Sequence, residues 1–125
     1  MGRPRQFDDT SAVAAAAAVF RKRGYAATSI DHLVDATGVH RGSLYGVFGS
    51  KRGLFLRVLD RVGALEGVAA ESLDVLLVAL LELAPTDQLI RQRVSDLIGQ
   101  IDATPEQLGG RLLARAGLHN KGDYL

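Results

Sequence analysis

The chain has 125 residues, 47% of them hydrophobic, with a mean hydropathy of +0.10. That suffices for one folded domain, or for a small reading head joined to a second helical layer, and it excludes a wholly disordered chain. There is no cysteine, and the three histidines, His32, His40 and His119, keep no metal-ligand spacing, so no disulfide, metal or cofactor is expected.

The net charge of +1 is unevenly spread: residues 1–61 carry ten Lys/Arg against five Asp/Glu, and residues 62–125 carry five against nine. A basic front half points to a polyanion as partner. The longest apolar run, Val75 to Leu81, is too short to cross a bilayer. The first residues lack the apolar core of a secretion signal, so no membrane partner and a cytoplasmic location are expected.

In chain order, residues 2–7 form an arm in which Pro4 blocks helix. Asp8 is placed to cap a first helix ending near Arg23, with Val13, Ala16, Ala17 and Phe20 as its buried stripe and Gly24 as its stop. Ser29 caps a second helix, with Ile30, Leu33 and Val34 inward, and Gly38 closes it. A short third helix follows from about Arg41 to Val47, with Leu44 and Phe48 inward. Two short helices joined by a tight glycine-containing turn are the mark of a helix-turn-helix.

Ser50 caps a fourth helix lined by Leu54, Val58, Val62 and Leu65. A leucine-rich fifth helix ends at Pro85. Thr86 is read as the cap of a sixth helix (Ile90, Val94, Leu97, Ile101 inward). Thr104-Pro105-Glu106-Gln107 starts a seventh, which runs to about Ala116. No strand pattern occurs. The predicted fold is all-α: a three-helix head with its arm over residues 1–49, and a helical dimerisation region over residues 50–125.

Chemistry concentrates in Thr28 to Lys51. Gly42 and Ser43 are small residues at the outer start of the third helix, and small residues let a helix sit deep in the DNA major groove. Arg41 offers a planar fork to guanine or phosphate. Tyr45, one turn on, suits a phosphate oxygen, and so does Lys51 at the start of the fourth helix. In the arm, Arg3 and Arg5 flank Pro4 and fit an A·T-rich minor groove. No nucleophile–base pair or carboxylate pair suggests an enzyme.

Gly24-Tyr25, Thr28-Ser29, Ile30, Leu33, Gly38-Val39, Leu44-Tyr45, Phe48 and Lys51 stand in a register that resembles the TetR (tetracycline-repressor) family of regulators, over roughly residues 8–60. The resemblance implies a transcriptional regulator, a repressor that binds a palindromic operator on double-stranded DNA as a homodimer. It implies a DNA-facing set of Ile30, Asp31, Arg41, Gly42, Ser43, Tyr45, Gly46, Val47 and Lys51. Three positions depart from the family's habit: Asp31 where a basic residue is frequent, His40 where Ser or Thr caps, and Gly46-Val47 where His, Tyr or Trp are common.

Only about sixty residues follow the fourth helix, fewer than family members usually carry. Their pattern resembles the late, pairing helices of longer relatives. The middle helices are expected to be absent and a homodimer to form through the sixth and seventh helices. That leaves a small-molecule effector without the usual cavity, unless a cleft between two copies serves. A second reading stays open: a helical protein-interaction module without specific DNA binding.

Overall fold

The structure, a computed structural model, describes residues 7–65 and 67–118. Among them are seven α-helices and no strand: α1 (Asp9–Arg23), α2 (Ile30–Thr37), α3 (Arg41–Phe48), α4 (Lys51–Ala64), α5 (Ala70–Glu82), α6 (Gln88–Ile101) and α7 (Pro105–Arg115). Helices α1, α2, α6 and α7 start where a side chain satisfies free backbone N–H groups. Asp8 accepts from the Thr10 amide at 3.0 Å. Ser29 accepts from the His32 amide at 3.1 Å, and His32 Nδ1 accepts in return from the Ser29 amide at 3.0 Å. Thr104 and Gln107 make the same reciprocal pair at the start of α7.

One helix start differs from the sequence reading. The cap of α6 is Asp87, whose Oδ1 accepts from the Ile90 amide at 3.2 Å, and not Thr86. The amides of Thr86 and Asp87 both turn back to the Leu83 carbonyl, so the turn consumes Thr86 and the helix begins one residue later. The α3–α4 turn also needs Gly53, because a Cβ there would collide with the carbonyl oxygen of Phe48.

The chain divides into two compact units between Arg61 and Val62, within α4. In the first unit the expected stripe Val13, Ala16, Ala17 and Phe20 is buried, together with Leu33, Leu44 and Phe48. Helix α4 adds Leu54 and Val58, and also Phe55 and Leu59, so it is buried on two sides rather than one. Phe55 meets Phe20 edge-on at 5.1 Å and Tyr25 edge-on at 5.3 Å, and Phe20 stacks on Tyr25 at 5.7 Å. This cluster ties the end of α1 and the α1–α2 turn to α4, which fixes the platform under α2 and α3.

In the second unit α5 is buried from Ser72 through Ala79, on all sides, as the central helix. Helix α6 packs on it through Ile90, Val94, Leu97 and Ile101. The α5–α6 turn is closed by Arg91, whose Nε donates to the Ala84 carbonyl at 2.9 Å. Helix α7 also packs on α5, yet buries none of its side chains. It is held instead by Arg111, which donates from Nε (2.6 Å) and Nη2 (3.1 Å) to the buried Asp74 carboxylate, with Arg115 Nη1 3.2 Å away. Asp74 is 2% exposed, a charge tolerated inside a leucine-rich helix only because two guanidiniums meet it.

Any pairing of two copies through α6 would therefore have to use its other side. Its stripe Ile90, Val94, Leu97 and Ile101 is spent on the chain's own core. Among the described residues of this second unit, the large apolar side chains left exposed are Leu81, Leu89 and Leu112.

Candidate nucleic-acid interface

Helix α2 stops at Gly38, whose left-handed φ of 71° reverses the chain. The Thr37 hydroxyl locks the turn, donating to the Leu33 carbonyl (2.7 Å) and accepting from the Val39 amide (3.2 Å). Val39 is buried and acts as the plug between the helices. Leu44 and Phe48 then hold the inner side of α3.

With its inner side anchored, α3 turns Arg41, Gly42, Tyr45 and Gly46 to solvent, and leaves Ser43 and Val47 half-buried. At the start of α2, Asp31 is exposed and Ile30 half-buried. A Cβ added at Gly42 or Gly46 would meet nothing within 4 Å, so no contact inside the chain requires glycine at either position. Helix glycines cost about 1 kcal/mol each relative to alanine. Two of them one turn apart make a bare strip along the outer side of α3.

Arg41 is not free-standing. Its Nη2 donates to Asp31 Oδ1 at 2.6 Å, an ion pair that joins α2 to α3 across the turn. His40 begins α3 without any side-chain cap, and no acid lies in the first turn.

Lys51 sits differently from the expectation that it faces phosphate. It is half-buried, and its Nζ donates to the carbonyls of Tyr25 and Thr28, both at 3.1 Å, and lies 4.3 Å from the centre of the Tyr25 ring. An ammonium has three N–H donors, so one remains for any phosphate. The chief role visible here is a staple from α4 to the α1–α2 turn. Lys51→Met is accordingly expected to lower the stability of the DNA-free protein by on the order of 1–2 kcal/mol, the value of charged hydrogen bonds reduced for half exposure. A thermal melt identical to wild type would return Lys51 to a purely DNA-facing role.

Arg3 and Arg5 lie outside the described residues. The arm's root is visible: the Phe7 ring lies 6.5 Å from that of Phe48, and Phe7 lines a small cleft with Gly38, Val39, His40 and Ser43. Phe7 thus sits beside the helix-turn-helix.

Sequence reasoning missed Phe7 and His32. A Ser29-x-x-His32 spacing does signal a capping box, with imidazole in the place of the usual Glu or Gln. Among the described residues no group of three or more His, Cys, Asp or Glu could hold a metal ion. No helix there is long and apolar enough to cross a membrane.

Residues 12–58 match the family model described as bacterial regulatory proteins, tetR family. The HTH-type transcriptional repressor BdcR of Escherichia coli (strain K12) is 42% identical over 67 residues, 54% of this chain and 34% of that protein. The HTH-type transcriptional repressor ComR of the same organism is 48% identical over 60 residues, 48% of this chain and 29% of that protein. An uncharacterized HTH-type transcriptional regulator of Bacillus subtilis (strain 168), YezE, is 43% identical over 56 residues, 45% of this chain and 29% of that protein. The chain thus matches about a third of the length of these relatives. No solved structure matches it significantly. Over residues 12–58, the segment that builds and supports the helix-turn-helix, the chain is similar to the tetR family of bacterial regulatory proteins.

Proposed function

We propose that the chain is a sequence-specific DNA-binding transcriptional regulator, a cytoplasmic repressor that binds a palindromic operator as a homodimer. The observation that carries this reading is the outer side of α3: an anchored helix whose exposed strip is glycine at positions 42 and 46, next to Arg41 and Tyr45. A surface that closes directly on a helix backbone explains glycines that the chain's own packing does not, and the major groove is such a surface. In this reading Arg41 and Ser43 meet base edges, Tyr45 meets a phosphate, and Ile30, Val47 and the third N–H of Lys51 border the contact. Arg3 and Arg5 reach the adjacent minor groove. The two relatives named as repressors favour repression over activation.

The glycine strip gives a test with opposed signs. Gly42→Ala and Gly46→Ala are each expected to stabilise the free protein by about 0.5–1 kcal/mol. Each is also expected to weaken its hold on DNA, because the added methyl lifts the helix from the groove. Thermal melts and fluorescence anisotropy on one duplex measure both quantities. Variants that are more stable and bind equally well would sink the reading of close approach.

Dimerisation is assigned to α7 and the outer edge of α6, since a helix-turn-helix reads a useful length of DNA only in pairs. Helix α7 carries Leu108, Leu112 and Leu113 with none buried, and Leu112 is 43% exposed. An apolar strip of this kind on so small a unit is covered by a second copy. Leu112→Glu is expected to give a folded monomer by light scattering, with operator affinity falling in step. A dimer that survives the substitution would place the seam elsewhere. No effector is assigned.

A further inference from the structure

We infer that Asp31 is a positioning residue for Arg41 and a determinant of sequence specificity: it holds the guanidinium out of competition for phosphates and oriented for a guanine. This rests on the DNA-binding reading above. An acidic side chain on a DNA-facing surface needs a reason, because it repels the polyanion that the surface must approach. Fold stability is a poor one. The Arg41 and Asp31 side chains are 55% and 77% exposed, and pairs this open add little to folding.

The position of Arg41 supplies the reason. It is the first residue of α3, at the positive end of that helix, where a cation is unfavourable. Neither a side-chain cap nor an acid in the first turn of α3 offsets it. Asp31, in the first turn of α2, supplies the counter-charge from the neighbouring helix, through the 2.6 Å bond from Arg41 Nη2. Guanidinium carries five N–H donors in a rigid fork. One is spent on Asp31, and the rest stay available for guanine O6 and N7 in the major groove.

Two effects follow from this geometry. The pair is formally neutral, so Arg41 adds little to the indiscriminate grip on phosphates, which grows with each unpaired cation. The side chain is also already ordered before it reaches a base, so less rotamer freedom is lost on reading. The remaining outer side chains of α3 offer only the hydroxyls of Ser43 and Tyr45, since Gly42, Gly46 and Val47 have no hydrogen-bonding group. Discrimination therefore falls chiefly on Arg41 and on what holds it.

The test uses the full chain as wild type, Asp31→Asn, Asp31→Glu, Arg41→Ala and the double variant Asp31→Asn/Arg41→Ala. The probes are a random-sequence duplex and the duplex that wild type selects from a random pool, each titrated with salt. Asp31→Asn is expected to bind the random duplex more tightly at low salt, with a log–log salt slope steeper by about 0.9. Its preference for the selected duplex is expected to fall by roughly five- to tenfold. Asp31→Glu should keep the wild-type preference. In the Arg41→Ala background, Asp31→Asn should leave the preference unchanged and should steepen the slope less than it does beside Arg41. Equal changes in both backgrounds would mean that Asp31 merely repels phosphate, and an unchanged preference would mean that it does not position Arg41. Either result overturns the inference and leaves DNA binding intact. A wild type that binds no duplex at low salt overturns both.

Discussion

Phe55→Ala is expected to cost the N-terminal unit on the order of 3–5 kcal/mol and to remove DNA binding with it. Phe55 is fully buried and joins Phe20 and Tyr25 in edge-on contacts. Its loss leaves a ring-sized cavity and forfeits two aromatic pairs, each worth about 0.5–1.5 kcal/mol beyond area burial. Small domains hold only about 5–15 kcal/mol in total, so such a loss approaches the whole. The damage reaches the proposed DNA-facing side through Tyr25, whose ring lies under the Lys51 ammonium and whose carbonyl accepts from it. Urea denaturation of wild type and variant measures the effect as a lower midpoint. A shift worth less than about 1 kcal/mol, the size of a common substitution, would contradict the place given to this cluster.

Asp74→Ala carries the second large effect, about 2–4 kcal/mol on the C-terminal unit. Breaking a buried pair usually costs about 3–5 kcal/mol; the figure is lowered here because the Arg111 and Arg115 side chains are 33% and 30% exposed. Without the carboxylate, α7 has no buried side chain to hold it, and two cations face an apolar helix. The effect should depend on pH. Burial alone would push the Asp74 carboxyl up, but hydrogen bonds from Arg111 and Arg115, with their charges, outweigh burial and hold it below the ordinary aspartate value.

A carboxyl held low in the folded state stabilises the fold above the ordinary aspartate pKa of about 3.9. That contribution is lost as pH falls through the lower folded value. Wild type and Asp74→Ala should therefore differ by their full amount at neutral pH and converge below about pH 4. Urea midpoints across that range give the comparison. A gap that stays constant into strong acid would mean that the carboxylate charge contributes nothing.

What the sequence disclosed was mostly local chemistry. Asp8, Ser29 and Thr104–Gln107 act on amides two or three residues away, so their caps are readable from spacing, and the structure has them as hydrogen bonds. The stripe Val13, Ala16, Ala17 and Phe20 was readable because α1 buries one side, while α4 buries two, and a single-stripe reading left out Phe55 and Leu59. Thr86 and Asp87 are both good caps in isolation; the turn bonds to the Leu83 carbonyl decide between them.

The longer-range partnerships were hidden for the same reason. Lys51 lies 23 and 26 residues from the carbonyls it holds, Arg41 is ten residues from Asp31, and Arg111 is 37 from Asp74. Each pairing depends on a turn or a helix packing that spacing alone does not encode. Asp74 still left a trace, as a lone acid inside a leucine-rich run with two arginines four residues apart further on.

The most direct measurement of the central claim is selection of duplexes by the intact chain from a random pool, beginning at low salt, followed by a salt titration on the enriched sequence. DNA reading by a two-fold dimer predicts enrichment of a palindromic motif with half-sites one helical turn or a multiple apart. Its affinity should fall linearly in log–log form with added salt. A pool that stays random after repeated rounds, with binding to every duplex equally weak, would contradict it and leave the helix-turn-helix as a surface for another protein.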